Sequence, residues 1–441
     1  MAGKKEEGLI RKSRKYSIVE GASASVAGGA GESYISAFAV SLNATNSQIA
    51  FLTSIPGLIA PFSQLFLLRR MEKGSRKSLV LRGVLLQAIM WLPMLILALL
   101  YFYTKTSLAP LLLVTLFTIY TVFGSSVSGV WVSWIGDLVK GKQGAYFGRR
   151  NRIATFVSLC ATLIAGFFLD FFSKEFVLIG FAVLFFISFV SRLVSRYYLG
   201  KQYEPKLKFE RGYYFSLLQF LRRIREEKNN FGKFVIYVCL MILATNIAAP
   251  FFTPYMLRDL HFSYLEFIII GTLISALVTA AVLPLWGRFA DKYGNIKMLK
   301  ICAFIVPWTP FLWVISQNIY WLGAIQVVSG VGWAGFNLAA SNYLYDIVTP
   351  QRRGLCFAYQ SILNGVSVFI GASIGGLIAG LPAGILGMNI LLFIFLISSI
   401  VRVLISIIFV NKLKEVRSVQ DFKFRKAGRI QHKLYKLIHL R

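Results

Sequence analysis

Twelve runs of about twenty mostly apolar residues decide what this chain can fold into. In the first half they lie near residues 17–43, 47–68, 79–103, 108–136, 151–172 and 175–199. In the second half they lie near 233–257, 263–287, 297–316, 318–345, 355–381 and 384–410. A run of that length spans a bilayer as a helix, because hydrocarbon offers no partner to a backbone N–H or C=O. The expected fold class is therefore an all-α integral membrane protein with twelve transmembrane helices. Composition agrees: 56% of the 441 residues are hydrophobic and 15% are charged, where a soluble domain has roughly 25% charged residues. The first run carries Glu20 and Glu32 and has no small-residue cleavage site after a short apolar core, which argues against a cleaved signal peptide.

The net charge of +30 would suggest nucleic acid in a soluble protein. Here its distribution gives another explanation. Lysine and arginine collect in cytoplasmic loops. With twelve spans and a cytoplasmic start, the outer loops hold only Lys105, Lys174 and Arg258 among the 48 basic residues. The asymmetry puts both termini in the cytoplasm, and no nucleic-acid partner is expected. The basic stretch 412–441 is expected to meet anionic lipid headgroups of a cell membrane, plasma or inner. Cys160, Cys239, Cys302 and Cys356 stand alone in apolar runs, and the three histidines are scattered, so neither a metal nor a cofactor is expected.

The chain divides into a six-helix half (1–199), a mixed-charge linker (200–232), a second six-helix half (233–411) and the tail (412–441). Within the linker, Tyr214, Leu217, Leu218, Leu221 and Ile224 fall on one helical stripe, which fits an interfacial amphipathic helix or a solvated connection. The halves repeat. Asp137-Leu138-Val139 followed by Gly144 and Phe147 returns as Asp346-Ile347-Val348 followed by Gly354 and Phe357, 209 to 210 residues on, each time between the fourth and fifth runs. Gly74 and Lys77 in LLRRMEKGSRK return as Gly294 and Lys297 in GRFADKYGNIK, 220 residues on, between the second and third runs. Parallel repeats of this kind mark transporters with a site at the repeat interface.

GRFADKYGNIK resembles the loop signature of the major facilitator superfamily, G-x-x-x-D-[RK]-x-G with trailing basic residues, through Gly287, Asp291, Lys292 and Gly294. The copy in the first half is degraded, with Leu67 and Met71 where the pattern has glycine and aspartate. The resemblance covers about residues 15–411. It implies two six-helix bundles that rock about a central site, a small-molecule substrate, a monomer, and no enzymatic activity. It also implies a cytoplasmic gate: Asp291 at the end of the eighth helix, facing the start of the fifth and paired with Arg149 or Arg150, with Asp137, Asp346, Arg352 and Arg353 as repeat-related counterparts.

Ionisable residues inside a membrane are functional candidates by default. Glu32 lies past the middle of the first run among Gly28, Gly29, Ala30, Gly31 and Ser33. It is the candidate for a coupling proton or a cationic substrate group. Tyr34 shares its helix. The seventh run offers Asn246, Phe252 and Tyr255, with Pro250 and Pro254 predicting a kink. Trp131, Trp333 and Asn337, with Gln87 and Gln326, complete the set of substrate candidates.

Two motifs are decoys. GVGWAG at 330–335 spells a dinucleotide-loop pattern inside an apolar run, and GDLVKGKQ at 136–143 nearly spells a phosphate loop but follows a membrane helix and ends in Gln143. The expected function is a secondary active transporter of a small solute, possible proton coupling included. A polytopic enzyme acting on lipids and a non-transporting receptor on the same scaffold are the alternatives.

Overall fold

Proline and glycine decide where these helices break, and lipid decides that the rest stays helical. The computed structural model describes residues 2–70, 74–139, 143–172, 176–205, 216–225, 230–348, 353–381, 387–416 and 419. Among them every regular element is helical. The first half comprises α1 (Ala2–Ala30), α2 (Ile35–Ser41), α3 (Asn46–Arg70), α4 (Arg76–Ile89), α5 (Trp91–Thr104), α6 (Ala109–Leu138), α7 (Gln143–Asp170) and α8 (Val177–Gly200). The linker contributes α9 (Leu217–Arg225). The second half comprises α10 (Asn230–Ala248), α11 (Phe252–Pro254), α12 (Tyr264–Ile268), α13 (Ile274–Tyr293), α14 (Asn295–Ile305), α15 (Trp308–Ile315), α16 (Ile319–Ile347), α17 (Arg353–Ala379) and α18 (Ile390–Phe409). Among the described residues, eleven spans are long and apolar enough to cross a membrane, their ends within a few residues of the runs read from sequence. The eleven do not include α1 and α2.

The breaks come in equivalent places. A 3-10 turn at Glu32–Tyr34 separates α1 from α2, and another at Ala249–Phe251 separates α10 from α11. The second break is the kink that Pro250 predicts. The one after α1 was not foreseen, although a glycine-rich GGAGE run is poor helix former. The span Arg76–Thr104 divides at Met90, where Pro93 denies the Ile89 carbonyl its N–H, and the span Asn295–Ile315 divides at Val306, where Pro310 does the same to Val306.

The repeat extends to packing and to single contacts. In the first half α1 packs on α7 and α8, α3 on α6, and α4 on α6; in the second half α10 packs on α17 and α18, α13 on α16, and α14 on α16. At the membrane face where the linker lies, Glu204 accepts the Arg76 N–H at the start of α4 (2.6 Å), and Glu415 accepts the Ile296 N–H at the start of α14 (2.9 Å). A carboxylate at a helix N-terminus meets free N–H groups and the positive end of the dipole. Beside these caps, Trp134 Nε1 donates to the Tyr203 carbonyl (2.9 Å) and the Tyr343 hydroxyl donates to the Lys414 carbonyl (2.8 Å). The halves meet where α3 packs on α17 and α7 on α12. At the first junction Gly365 lies so close that a Cβ there would stand 2.3 Å from the Gly57 carbonyl oxygen.

The linker helix is anchored differently from the stripe read in the sequence. Phe220 is buried against Phe231 and Tyr359, while Leu218 and Leu221 stay exposed. Residues 206–215, including Tyr214, lie outside the described residues.

The signature glycine now has a physical reason. Gly294 has φ of +93°, and a Cβ on it would stand 2.3 Å from a Glu415 carboxylate oxygen. Gly294→Ala is expected to cost about 1–3 kcal/mol through backbone strain and loss of the cap. Gly287→Ala, with no atom within 4 Å of its Cβ position, is expected to be neutral to within about 0.5 kcal/mol. Thermal melts of the two purified variants in one detergent decide this; equal Tm values would refute the cap.

Candidate functional site

The break after α1 turns Glu32 out of the helix. Its freed carbonyls find donors nearby: Gly28 O accepts from Ser33 Oγ (3.1 Å) and Gly29 O from Thr162 Oγ1 of α7 (3.2 Å). Glu32 is solvent-exposed although it lies within the first apolar run. It lines a cavity of about 370 Å³ with Pro56, Gly57, Pro61, Gln87, Tyr120 and Ser125 of α3, α4 and α6. The Tyr120 hydroxyl donates to Glu32 Oε1. Tyr120 is itself fixed edge-on to Trp91, ring centroids 4.8 Å apart. Glu32 makes no ion pair among the described residues, so its carboxylate is open to a proton or a cation.

Behind this wall runs a buried polar chain. Arg192 of α8 donates to Gln87 Oε1 from Nε (3.0 Å) and Nη2 (2.6 Å), and from Nη1 to Ser195 Oγ (3.3 Å). Ser195 donates to Glu20 (3.3 Å), and Glu20 pairs with Arg150 at 2.8 Å. Arg150 also covers the Trp131 ring at 4.5 Å. In the second half Arg402 of α18 is buried and reaches the carbonyls of Val306 and Thr245, each at 3.4 Å, beside the two helix breaks. Arg192 and Arg402 stand 210 residues apart, the same spacing as the loop repeat. A basic residue inside the last apolar run of each half was a readable signal that sequence reasoning missed.

The remaining substrate candidates separate from Glu32. Tyr34 is fully buried and donates to the Thr162 carbonyl (2.6 Å), joining α1 to α7. Phe252 and Tyr255 pack with Trp313 and Phe395 in an aromatic core; Phe252 stacks on Phe395 at 4.2 Å. Asn246 donates back to Ile242 of its own helix (2.8 Å). Trp333 packs on Phe336, and Asn337 is exposed. None of these lines the Glu32 cavity. Gln87 does.

The expected gate pairs are not formed in this structure. Asp291 is exposed and pairs with neither Arg149 nor Arg150. Arg150 takes the nearer Glu20 of its own half, and Arg149 is exposed. Asp137 pairs with the buried Arg76 at 2.8 Å, and Asp346 accepts from Asn295 Nδ2 at 2.8 Å; both contacts stay within one half. Lys292 lies over its neighbour Tyr293, 5.1 Å from the ring centroid, and no atom stands near Gly287. Arg352 and the Arg353 side chain lie outside the described residues.

Hydrogen bonds between the halves gather at the opposite, far face. Asp170 accepts the N–H of Tyr264 (2.7 Å) and of Leu265 (2.9 Å) at the start of α12. Arg258 Nη2 donates to the carbonyls of Ala44 (2.6 Å) and Val40 (3.4 Å) at the end of α2. The Ser41 and Tyr264 hydroxyls lie 3.0 Å apart, and Ser47 donates to the Gly376 carbonyl (3.2 Å). The GVGWAG decoy packs helices: a Cβ on Gly330 would stand 2.8 Å from the Ser275 carbonyl. Among the described residues no three histidine, cysteine or acidic side chains form a metal cluster.

This architecture has known counterparts. The nucleoside transporter NupG matches with a TM-score of 0.67 at 16% identity, over 92% of this chain and 99% of that one. A D-xylose–proton symporter matches with a TM-score of 0.63 at 15% identity, over 93% and 99%. At such identities the likeness is one of fold. In sequence, the vacuolar membrane amino acid uptake transporter fnx2 of Schizosaccharomyces pombe is 32% identical over 143 residues, 32% of this chain and 24% of fnx2. Multidrug resistance protein 2 of Bacillus subtilis is 24% identical over 160 residues, 36% of this chain and 39% of that protein. The matched stretches thus span well under half of these relatives. A family model covers residues 21–232 and 234–434, one match for each half of the repeat, and by it the chain belongs to the Major Facilitator Superfamily.

Proposed function

We propose that this protein is a secondary active transporter of a small solute that works by alternating access and couples to protons at Glu32. One observation carries the reading: a carboxylate without a counter-cation lines a cavity at a helix break in the first crossing. Broken helices place backbone dipoles and side chains at transporter binding sites. The relatives and structural neighbours, transporters all, support it. In this reading α1 and α2 make a twelfth crossing of the cell membrane, both termini are cytoplasmic, and each six-helix half moves as a body. The far face is then the outer face.

The contacts between the halves support a closed outer side. Each is an exposed or half-buried hydrogen bond worth about 0.5–3 kcal/mol, weak enough for two states to lie within a few kcal/mol of each other. The signature loop, with Asp291 exposed, is left to close the inner side in the opposite state.

Coupling is tested in proteoliposomes holding a pH gradient and an internal pH dye. Among a panel of small solutes, at least one is expected to discharge the gradient through the wild-type protein, and Glu32→Gln to slow that discharge at least tenfold. Flux that ignores both the gradient and Glu32→Gln would sink the coupling. The gate is tested by labelling Ala50→Cys, a position buried against α17 at Gly376, with the four native cysteines replaced. Asp170→Asn and Arg258→Gln are each expected to raise labelling from the outer side about fivefold, the effect of about 1 kcal/mol on a two-state equilibrium. Labelling unchanged in both variants would refute the outer gate.

A further inference from the structure

Gln87 lines the Glu32 cavity and is only 6% exposed. Its amide has two unlike ends, and Arg192 decides which faces where. A guanidinium offers donors only, so the end that receives Arg192 Nε at 3.0 Å and Nη2 at 2.6 Å must be the carbonyl oxygen. The NH2 end then lies over α6 at Gly124, where a Cβ would stand 2.4 Å from Nε2. Nε2 has no hydrogen-bond partner among the described residues. An amide N–H that lines a cavity and has no protein partner is free to donate to an acceptor that enters it. Arg192 is braced in turn by Ser195, Glu20 and Arg150, and its charge, behind the amide, favours an acceptor that is anionic.

We propose that Glu32 and Gln87 are the two poles of one recognition site, and that the solute is a small amino acid-like zwitterion. Its ammonium meets Glu32, beside the Tyr120 hydroxyl, and its carboxylate accepts from Gln87 Nε2. Gln87 is the specificity-determining residue. Arg192 touches no solute and is a positioning residue that holds the amide in register. The inference rests on the reading of Glu32 as the site carboxylate and adds the pole that tells an amino acid from a simple amine.

The experiment compares the twenty common amino acids with their decarboxylated amines as ligands of the purified full-length protein, reading the rise in Tm on ligand addition. At least one amino acid is expected to bind ten- to a hundredfold tighter than its amine, the effect of one hydrogen bond to a charged group. Gln87→Leu and Arg192→Met are expected to bring that ratio near one while binding of the amine persists; Arg192→Lys, which keeps a donor facing Oε1, is expected to restore part of it. A purely structural role would weaken amino acid and amine together and leave the ratio unchanged. Equal binding of amino acids and amines, or a ratio that survives Gln87→Leu and Arg192→Met, overturns the proposal; if Glu32→Gln abolishes amine binding in that case, Glu32 stands as the site carboxylate without the second pole. Absence of binding by every amino acid and every amine also overturns it, and the gradient experiment with other solutes then judges the transporter reading separately.

Discussion

A backbone carbonyl that loses its helical N–H inside a membrane must be met by a donor from the protein, and this fold is arranged around that demand. The breaks after α1, α4, α10 and α14 free carbonyls in equivalent places of both halves. Ser33 and Thr162 serve Gly28 and Gly29. Arg402 serves Thr245 and Val306, and Ser399 serves Pro307 (2.7 Å). A lone buried arginine is costly in lipid unless it faces such acceptors, which gives the Arg402 charge a reason to be where it is. The helix breaks create the cavity wall, and the donors that heal them fix its shape.

The two halves share one scaffold and use it unequally. At the linker-side ends the first half joins α4 to α6 with a charge pair, Arg76 and Asp137, where the second half uses Asn295 and Asp346. The first half lays a polar chain beside the cavity, from Glu32 and Gln87 back to Arg150. The second half packs Phe252, Tyr255 and Phe395 edge-on around Trp313, with Phe252 stacked on Phe395. The polar chain and the aromatic cluster thus fall to different halves.

How much of this was legible follows from the physics of each feature. Apolar length is a local property, so the spans, the repeat and the Pro250 kink could be read residue by residue. Glu32 was also legible, because a carboxylate in an apolar run is costly wherever it points. Partner choice was not legible. Asp137, Arg150 and Asp346 have a charge in the right loop, but whether each pairs within its half or across depends on which neighbour is nearer in space. Phe252 and Tyr255 look the same in sequence whether they line a cavity or fill a core. Arg192 and Arg402 stand 210 residues apart, yet they sit in helices whose mean hydropathy outweighs the one or two charges each carries.

The Asp170 and Arg258 contacts at the far face have a one-sided character. Asp170 grips two backbone N–H groups and Arg258 grips two backbone carbonyls. In each case only one member of the contact is spelled by a codon; the other is main chain that every residue supplies. Substitution at Leu265, Val40 or Ala44 leaves these four bonds intact so long as the helix ends stay in place, whereas Asp170 and Arg258 supply them by side chain and Tyr264 also gives its hydroxyl to the Ser41 contact. The main-chain half of each contact therefore constrains where the helix ends lie, and leaves the side chains at Leu265, Val40 and Ala44 unconstrained by these bonds.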